Sequence, residues 1–242
     1  MTVNPNLLIV EGKDDFHVML ALRDRFDMKE IYEIKEKKND DQLLGAISVE
    51  AKKSGRSALG VVIDWDTDDP SKNKNRWRQI EEILKPLNYS LPANPPTDGA
   101  VLPSPELGFS KVGIWLMPDN QSPGMLEDFM RQLIVPDDEC LSFAEETLQE
   151  LEKRNIQRYK EVHRSKALVH TWIAWQDKPG IPLGQSTTRY LDTNTELCRQ
   201  FADWLNRLFS EAWRDSTTFT QCRRKFSARR SRIVLLHKAF SD

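Results

Sequence analysis

The chain has 242 residues, of which 39% are hydrophobic and 30% charged, the usual composition of a globular protein that buries a substantial core. Its formal net charge of -2 gives no global attraction to nucleic acid, so any such binding has to come from local positive patches. The three cysteines form no C-x-x-C pair and there is no long apolar run or signal-like N-terminus, so we predict a soluble cytoplasmic protein without a zinc site, disulfides or a membrane span.

The first element is a short apolar run, residues 7–10, which ends in Glu11, Gly12 and Lys13. The run predicts a buried strand, and the apolar residues at helical spacing in residues 16–22 predict a helix directly after the turn. This places Glu11 at the carboxyl edge of a sheet, where open α/β sheets bind their ligands. Lys13 is either a surface lysine or a cation that neutralises a phosphate or neighbouring carboxylates.

A strand, helix, strand and helix follow, at residues 31–34, 41–53, 58–63 and 74–84. The apolar periodicity changes between these segments from that of a strand to that of a helix. Such an alternation favours parallel strands joined by right-handed crossovers. The expected fold is therefore α/β, a Rossmann-like and mostly parallel sheet flanked by helices, with a helical C-terminal extension.

The strand at residues 58–63 ends in Asp64, Trp65 and Asp66. Because side chains alternate along a strand, Asp64 and Asp66 point to one side and Trp65 to the other. Two like charges about 4 Å apart repel by about 4 kcal/mol at a surface-like dielectric. With Glu11 on a neighbouring strand, the carboxylates either spread into water or bind a cation, and oxygen ligands suit Mg²⁺ or Mn²⁺.

A third acid, Asp119, follows the clear apolar strand at residues 111–117. It either caps the following turn or serves as a metal ligand. Before this strand, residues 88–108 are rich in proline, which predicts an extended hairpin or loop and argues against a central strand there.

A helix starting at Gly124 carries Glu127 and Asp128 in its first turn. Acids at this position are ordinary partners of the helix dipole. The sequence predicts later helices at residues 143–155, 157–175 and 194–213, with a linker at 177–185. We divide the chain into an α/β domain, a helical part packed on it and a basic tail, at residues 1–135, 136–215 and 216–242.

The tail carries a run of basic residues, Arg223, Arg224, Lys225, Arg229 and Arg230. These side chains either bind a phosphate backbone or belong to a solvated terminal segment.

The strand ending in Glu-Gly and the later strand ending in Asp-x-Asp together resemble the TOPRIM domain of topoisomerases, bacterial primases, small ribonuclease-like proteins and OLD-type nucleases. Further segments resemble the stand-alone TOPRIM-like proteins of the DUF3226 family, namely residues 9–15, 115–120, 124–128 and 166–172. The resemblance extends from residue 7 to about residue 209. It assigns no role to residues 166–172.

The resemblance implies metal-dependent phosphodiester hydrolysis of DNA or RNA. In that reading Glu11 is a general acid or base, Asp64 and Asp66 hold Mg²⁺ or Mn²⁺, and Glu127 or Asp128 completes a second site as in OLD-type nucleases. The chain has no P-loop motif, so an ATP-driven activity would need a partner protein.

Two other classes of function remain open from the sequence. One is a non-catalytic TOPRIM module that binds a nucleotide or a partner through the carboxylate edge. The other is a haloacid-dehalogenase-like phosphatase, which also uses Asp-x-Asp at a strand end. That class has threonine or valine where this chain has Asp68, and it leaves Glu11 unexplained.

Overall fold

The computed structural model describes residues 4–65 and 75–210, which contain five strands and eight α-helices. The strands are β1 (Asn6–Val10), β2 (Glu33–Glu36), β3 (Ala58–Asp64), β4 (Ala100–Leu102) and β5 (Lys111–Met117). The helices are α1 (Lys13–Arg25), α2 (Asp40–Ala51), α3 (Arg76–Leu84), α4 (Leu126–Gln132), α5 (Glu139–Lys153), α6 (Arg164–Ala174), α7 (Leu183–Arg189) and α8 (Glu196–Phe209). Asp66 and the basic tail residues lie outside the described residues.

The five strands form one sheet in the order β2-β1-β3-β5-β4. β1 pairs in parallel with β2 and β3, and β3 pairs in parallel with β5, whereas the short β4 is antiparallel at the edge. This confirms the predicted α/β class with a mostly parallel sheet. The proline-rich region supplies only β4, which lies at the edge of the sheet. Prolines lack the backbone N–H that a central strand needs.

The order of the strands creates a topological switch point between β1 and β3. From β1 the chain first moves outward to β2 and then returns across β1 to form β3 on the other side. The two connections therefore run in opposite directions along the sheet. In such sheets a crevice opens outside the carboxyl ends of the two strands at the switch point, here β1 and β3. Glu11 and Asp64 stand at those two ends.

Helices cover both faces of the sheet, and alternate residues of β1 show how. Leu8 and Val10 share one core with α1 and with α4 to α8. Leu7 and Ile9 share the other core with α2 and α3. All four side chains are fully buried, which explains why this parallel strand is a continuous apolar run.

Helix α8 lies directly on the sheet because two glycines leave room for it. Gly60 and Gly113 are paired neighbours on β3 and β5. A Cβ atom on Gly113 would lie 2.5 Å from Leu208 Cδ2, and one on Gly60 would lie 3.0 Å from the same atom. The predicted last helix is confirmed, and its buried face seats on this pair of glycines.

The described helices differ from the sequence predictions most at α5, α6 and α7. α5 begins at Glu139, four residues before the predicted start at residue 143. α6 begins at Arg164 instead of residue 157, after a single 3-10 turn at Glu161–His163, because the residues between lack an apolar face. The predicted linker at residues 177–185 contains the start of α7, which packs closely on α1. No helix of the described residues is long and apolar enough to cross a membrane.

Replacing Gly184 by alanine is expected to destabilise the fold by about 1–2 kcal/mol, because the site is overpacked by any side chain. A Cβ atom there would lie 2.7 Å from the backbone oxygen of His17, and a backbone atom cannot move aside without shifting α1. Urea denaturation of the variant and the wild type measures this difference.

Gly45→Ala is the matched control, because Gly45 also lies in a helix but has no atom within 4 Å of the added Cβ. That variant should gain about 0.5–1 kcal/mol from helix propensity. Equal stability changes in the two variants would contradict close packing of α7 against α1.

Candidate metal centre at the carboxyl edge of the sheet

Glu11 and Asp64 meet at the switch point between β1 and β3. Glu11 Oε1 accepts a hydrogen bond from the backbone N–H of Asp64 at 3.0 Å. Asp64 Oδ1 in turn accepts one from the backbone N–H of Leu126 at 3.0 Å, at the first residue of α4. The two predicted carboxylates are therefore brought together, and they connect the ends of β1 and β3 to the start of α4.

Two helices begin at this edge with the same arrangement of an aspartate in the first turn. Asp15 Oδ2 accepts a hydrogen bond from the backbone N–H of Gly12 at 3.2 Å, and Asp128 Oδ2 accepts one from that of Met125 at 2.9 Å. Asp128 Oδ1 also accepts the hydroxyl proton of Ser165. Both oxygens of Asp128 are thus engaged in holding α4 and α6, and its role as a metal ligand stays a prediction.

Glu127 is buried beneath the edge and is paired with a lysine from α6. Its side chain is 3% exposed, whereas that of Lys166 is 47% exposed, and Lys166 Nζ lies 3.2 Å from Glu127 Oε1. Burial favours the neutral amine, but attraction by Glu127, Asp14 and Asp64 outweighs it and raises the pKa of Lys166. The lysine therefore brings a positive charge to the rim of the carboxylate site.

Asp119 is engaged in the turn that follows β5. Its Oδ1 accepts hydrogen bonds from the backbone N–H groups of Gln121 and Ser122, at 2.9 and 2.8 Å. This is the capping alternative that the sequence left open. The metal role of Asp119 stays a prediction.

Arg76, which the sequence did not single out, is almost fully buried behind the site. Its Nε donates to the backbone oxygen of Asp64 at 3.2 Å, and its Nη2 lies 3.1 Å from Asp40 Oδ2 at the start of α2. The residues around Arg76 in the sequence do not indicate these contacts. The contacts arise because the fold brings the starts of α2 and α3 to the end of β3. Arg76 fixes the backbone that carries Asp64.

Burial is the main cause of the altered protonation of the carboxylates. It raises the pKa of Glu11 from 4.5 to about 7, a rise that the Asp64 N–H opposes and the charge of Asp15 reinforces. It raises the pKa of Asp15 from 3.8 to about 6. It raises the pKa of Asp64 well above 3.8, with further contributions from Glu11, Asp15 and Glu127. The site therefore binds protons near neutral pH and would release them to a cation.

The donor chemistry fits a divalent cation. The carboxylates are hard oxygen donors, they are partly desolvated, and each raises the pKa of another, so a bound cation would relieve both costs. Among residues 4–65 and 75–210, no group of three His, Cys, Asp or Glu side chains has the spacing of a metal centre. A site built on Glu11 and Asp64 therefore needs a further ligand, and Asp66, the sequence candidate, lies outside the described residues.

Comparison with known families identifies the chain. The sequence model of a family described as a protein of unknown function (DUF3226) matches residues 5–210, so the chain belongs to that family. Comparison with curated proteins and with solved structures gives no match. The resemblance to DUF3226 is confirmed, and the relation to TOPRIM domains and OLD-type nucleases stays a prediction.

Proposed function

We propose that the chain hydrolyses phosphodiester bonds of DNA or RNA with Mg²⁺ or Mn²⁺ bound at the carboxyl edge of the sheet. One observation carries the proposal: Glu11 and Asp64 are hydrogen-bonded neighbours at the switch point, in surroundings that raise the pKa of both. Acids with shifted pKa values in a crevice are typical of functional sites. The resemblance to TOPRIM enzymes supports the same reaction.

Asp64 and Asp66 are the proposed metal ligands. A bound ion would stabilise negative charge on the phosphate and lower the pKa of an attacking water molecule. Glu127 is a better candidate than Asp128 for a second ion, because both oxygens of Asp128 already accept hydrogen bonds. Asp119 stays a further candidate, since only its Oδ1 accepts the hydrogen bonds of the turn. Glu127 would have to exchange its contact with Lys166 for that ion.

Glu11 is the proposed general acid or base. A carboxyl group with a pKa of about 7 can both accept and donate a proton at neutral pH. Because Oε1 accepts the Asp64 N–H, we assign the transferred proton to Oε2. The hydrogen bond also fixes the orientation of the carboxyl group, which proton transfer requires.

Two lysines are proposed to balance the charge of the substrate. Lys166 reaches the edge from α6, and Lys13 is the exposed first residue of α1, directly after Gly12. A cation beside the carboxylates lowers the cost of bringing a phosphate to an acidic site. The basic tail residues are proposed as a further contact with the phosphate backbone.

The test is cleavage of labelled single- and double-stranded 30-mers of DNA and RNA in Mg²⁺, Mn²⁺ or EDTA. We expect cleavage of at least one substrate with metal and none in EDTA, and a loss of about 100-fold in Glu11→Gln because acid-base catalysis is removed. Glu82→Gln, which removes an exposed acid near the end of α3, should keep full activity.

Two other outcomes are informative. Cleavage that is equal in EDTA and Mg²⁺ would contradict the proposed metal site. If folded protein binds an oligonucleotide or nucleotide but cleaves none, the chain is a non-catalytic binding module and not a nuclease.

A further inference from the structure

A lysine with an unusual backbone conformation lies beside the candidate site, in the turn between β2 and α2. The backbone N–H of the preceding residue, Lys37, donates to the backbone oxygens of Val10 at 2.9 Å and Glu11 at 3.3 Å. The turn therefore lies against the end of β1. Lys38 follows, is exposed, and has a φ of 73°.

This left-handed conformation is not explained by the residue type. The other non-glycine residues with positive φ in the described part of the chain are all Asp or Asn, at Asp27, Asn88, Asn120 and Asn155. Asp and Asn tolerate this conformation because their short polar side chains can hydrogen-bond to the nearby backbone. The lysine side chain does not make that local hydrogen bond. Strain of this kind at the edge of a crevice points to a function for the side chain.

The turn itself does not need a lysine at this position. Asn39 already caps α2, because its side chain accepts the backbone N–H of Gln42 at 2.9 Å. The neighbouring lysines each have a carboxylate partner, Lys35 with Glu33 at 3.3 Å and Lys37 with Glu50 at 3.6 Å, although Glu50 also pairs with Arg56 at 2.8 Å. Lys38 forms no ion pair with any residue in 4–65 or 75–210. It presents a positive charge to solvent in the turn whose backbone contacts the end of β1.

We propose that Lys38 binds a phosphate of a nucleic-acid strand, on the β2 side of the bond that is cleaved. This inference rests on the proposed function and specifies its substrate. Lys38 follows β2 and Lys13 follows β1, the next strand of the sheet. Lys166 pairs with Glu127 of α4, whose first residue bonds to Asp64 at the end of β3, on the other side of β1. A strand that contacts all three crosses the carboxylate edge and extends beyond the cleaved bond, so the substrate is an oligonucleotide and not a single nucleotide.

Lys38→Asn tests the proposal, because Asn removes the charge and accepts a positive φ, so the turn is kept. Binding of fluorescein-labelled single-stranded 20-mers of DNA and RNA is measured by anisotropy in EDTA, between 50 and 200 mM salt. We expect an affinity lower by about three- to tenfold and a log-log salt slope reduced by about 0.7, the value for one phosphate contact. Lys38→Arg should bind like the wild type.

Lys52→Asn is the matched control. Lys52 is also exposed and lies at the far end of α2, whose 12 residues separate it from the turn by about 18 Å. It should leave both the affinity and the salt slope unchanged.

The outcomes separate this inference from the proposed function. If the wild type binds the 20-mers and Lys38→Asn binds with the same affinity and slope, Lys38 is not a phosphate contact, although the nuclease proposal stands. If Lys52→Asn weakens binding as much as Lys38→Asn, the effect comes from net charge, and the proposed phosphate contact at Lys38 is again wrong. If the wild type neither binds nor cleaves any of the oligonucleotides, both proposals fail.

Discussion

Replacing Asp64 by asparagine is expected to lower metal-dependent cleavage by at least about 1000-fold, because loss of the bound ion removes several kcal/mol of transition-state stabilisation. The variant should fold, since the asparagine Oδ1 can still accept the Leu126 N–H that Asp64 Oδ1 accepts. The measurement is kcat/KM on the best substrate in Mg²⁺, together with the circular dichroism of the variant.

Asp27→Asn serves as the control for this change. Asp27 is exposed just beyond the far end of α1, and its φ of 61° suits asparagine equally well. It should keep wild-type activity. Full activity in Asp64→Asn would falsify the metal assignment, whereas loss of activity in both variants would indicate an effect on folding or on net charge.

The second large effect is a loss of stability as pH rises in the absence of metal. For a carboxyl group whose pKa is raised by folding, the native state binds more protons than the unfolded state between the two pKa values, so stability falls as pH increases. For Glu11 this window runs from 4.5 to about 7, and for Asp15 from 3.8 to about 6. Because these acids interact, their separate contributions do not simply add, and we expect a combined loss of at least about 3 kcal/mol between pH 4.5 and 7.5.

Urea denaturation in EDTA at several pH values measures this loss. Asp64→Asn should show a smaller loss of stability with pH, because it removes one carboxyl group whose pKa is raised by folding. Mg²⁺ should restore stability to the wild type mainly above pH 7, where the ligands are charged. Folding lowers the pKa of some carboxyl groups, such as Glu50 beside Arg56. These groups make stability rise with pH, but they do so at pH values below 4.5. Equal slopes in both proteins would contradict a buried acid cluster.

The sequence predicted the part of the site that depends on strand ends. An apolar run that stops at an acid indicates both the strand and the edge at which the acid lies, so Glu11 and Asp64 could be placed from alternation and strand order alone. Glu127 was included because of the resemblance to OLD-type nucleases, since its position in the first turn of a helix is typical of an ordinary helix-dipole partner.

The residues that hold the site could not be predicted in the same way. Arg76 lies 12 residues after Asp64 in another element, and Lys166 of α6 pairs with Glu127 of α4, so both contacts depend on how the elements pack. The resemblance included Lys166 in residues 166–172 but gave it no role. The start of α7 was missed for a related reason. Its seven residues have no periodic apolar face, and the helix is specified by tight packing of Gly184 on α1.

The position of α8 on the glycine pair also determines when the domain can fold. Phe209 stacks on Tyr32 with ring centroids 4.5 Å apart, and its backbone oxygen accepts a hydrogen bond from Asn6 Nδ2, across 203 residues. At about 5–20 residues per second, the ribosome adds those residues in roughly 10–40 s. The first strand is thus synthesised early, but the core that it shares with α1 and the later helices stays incomplete until α8 emerges.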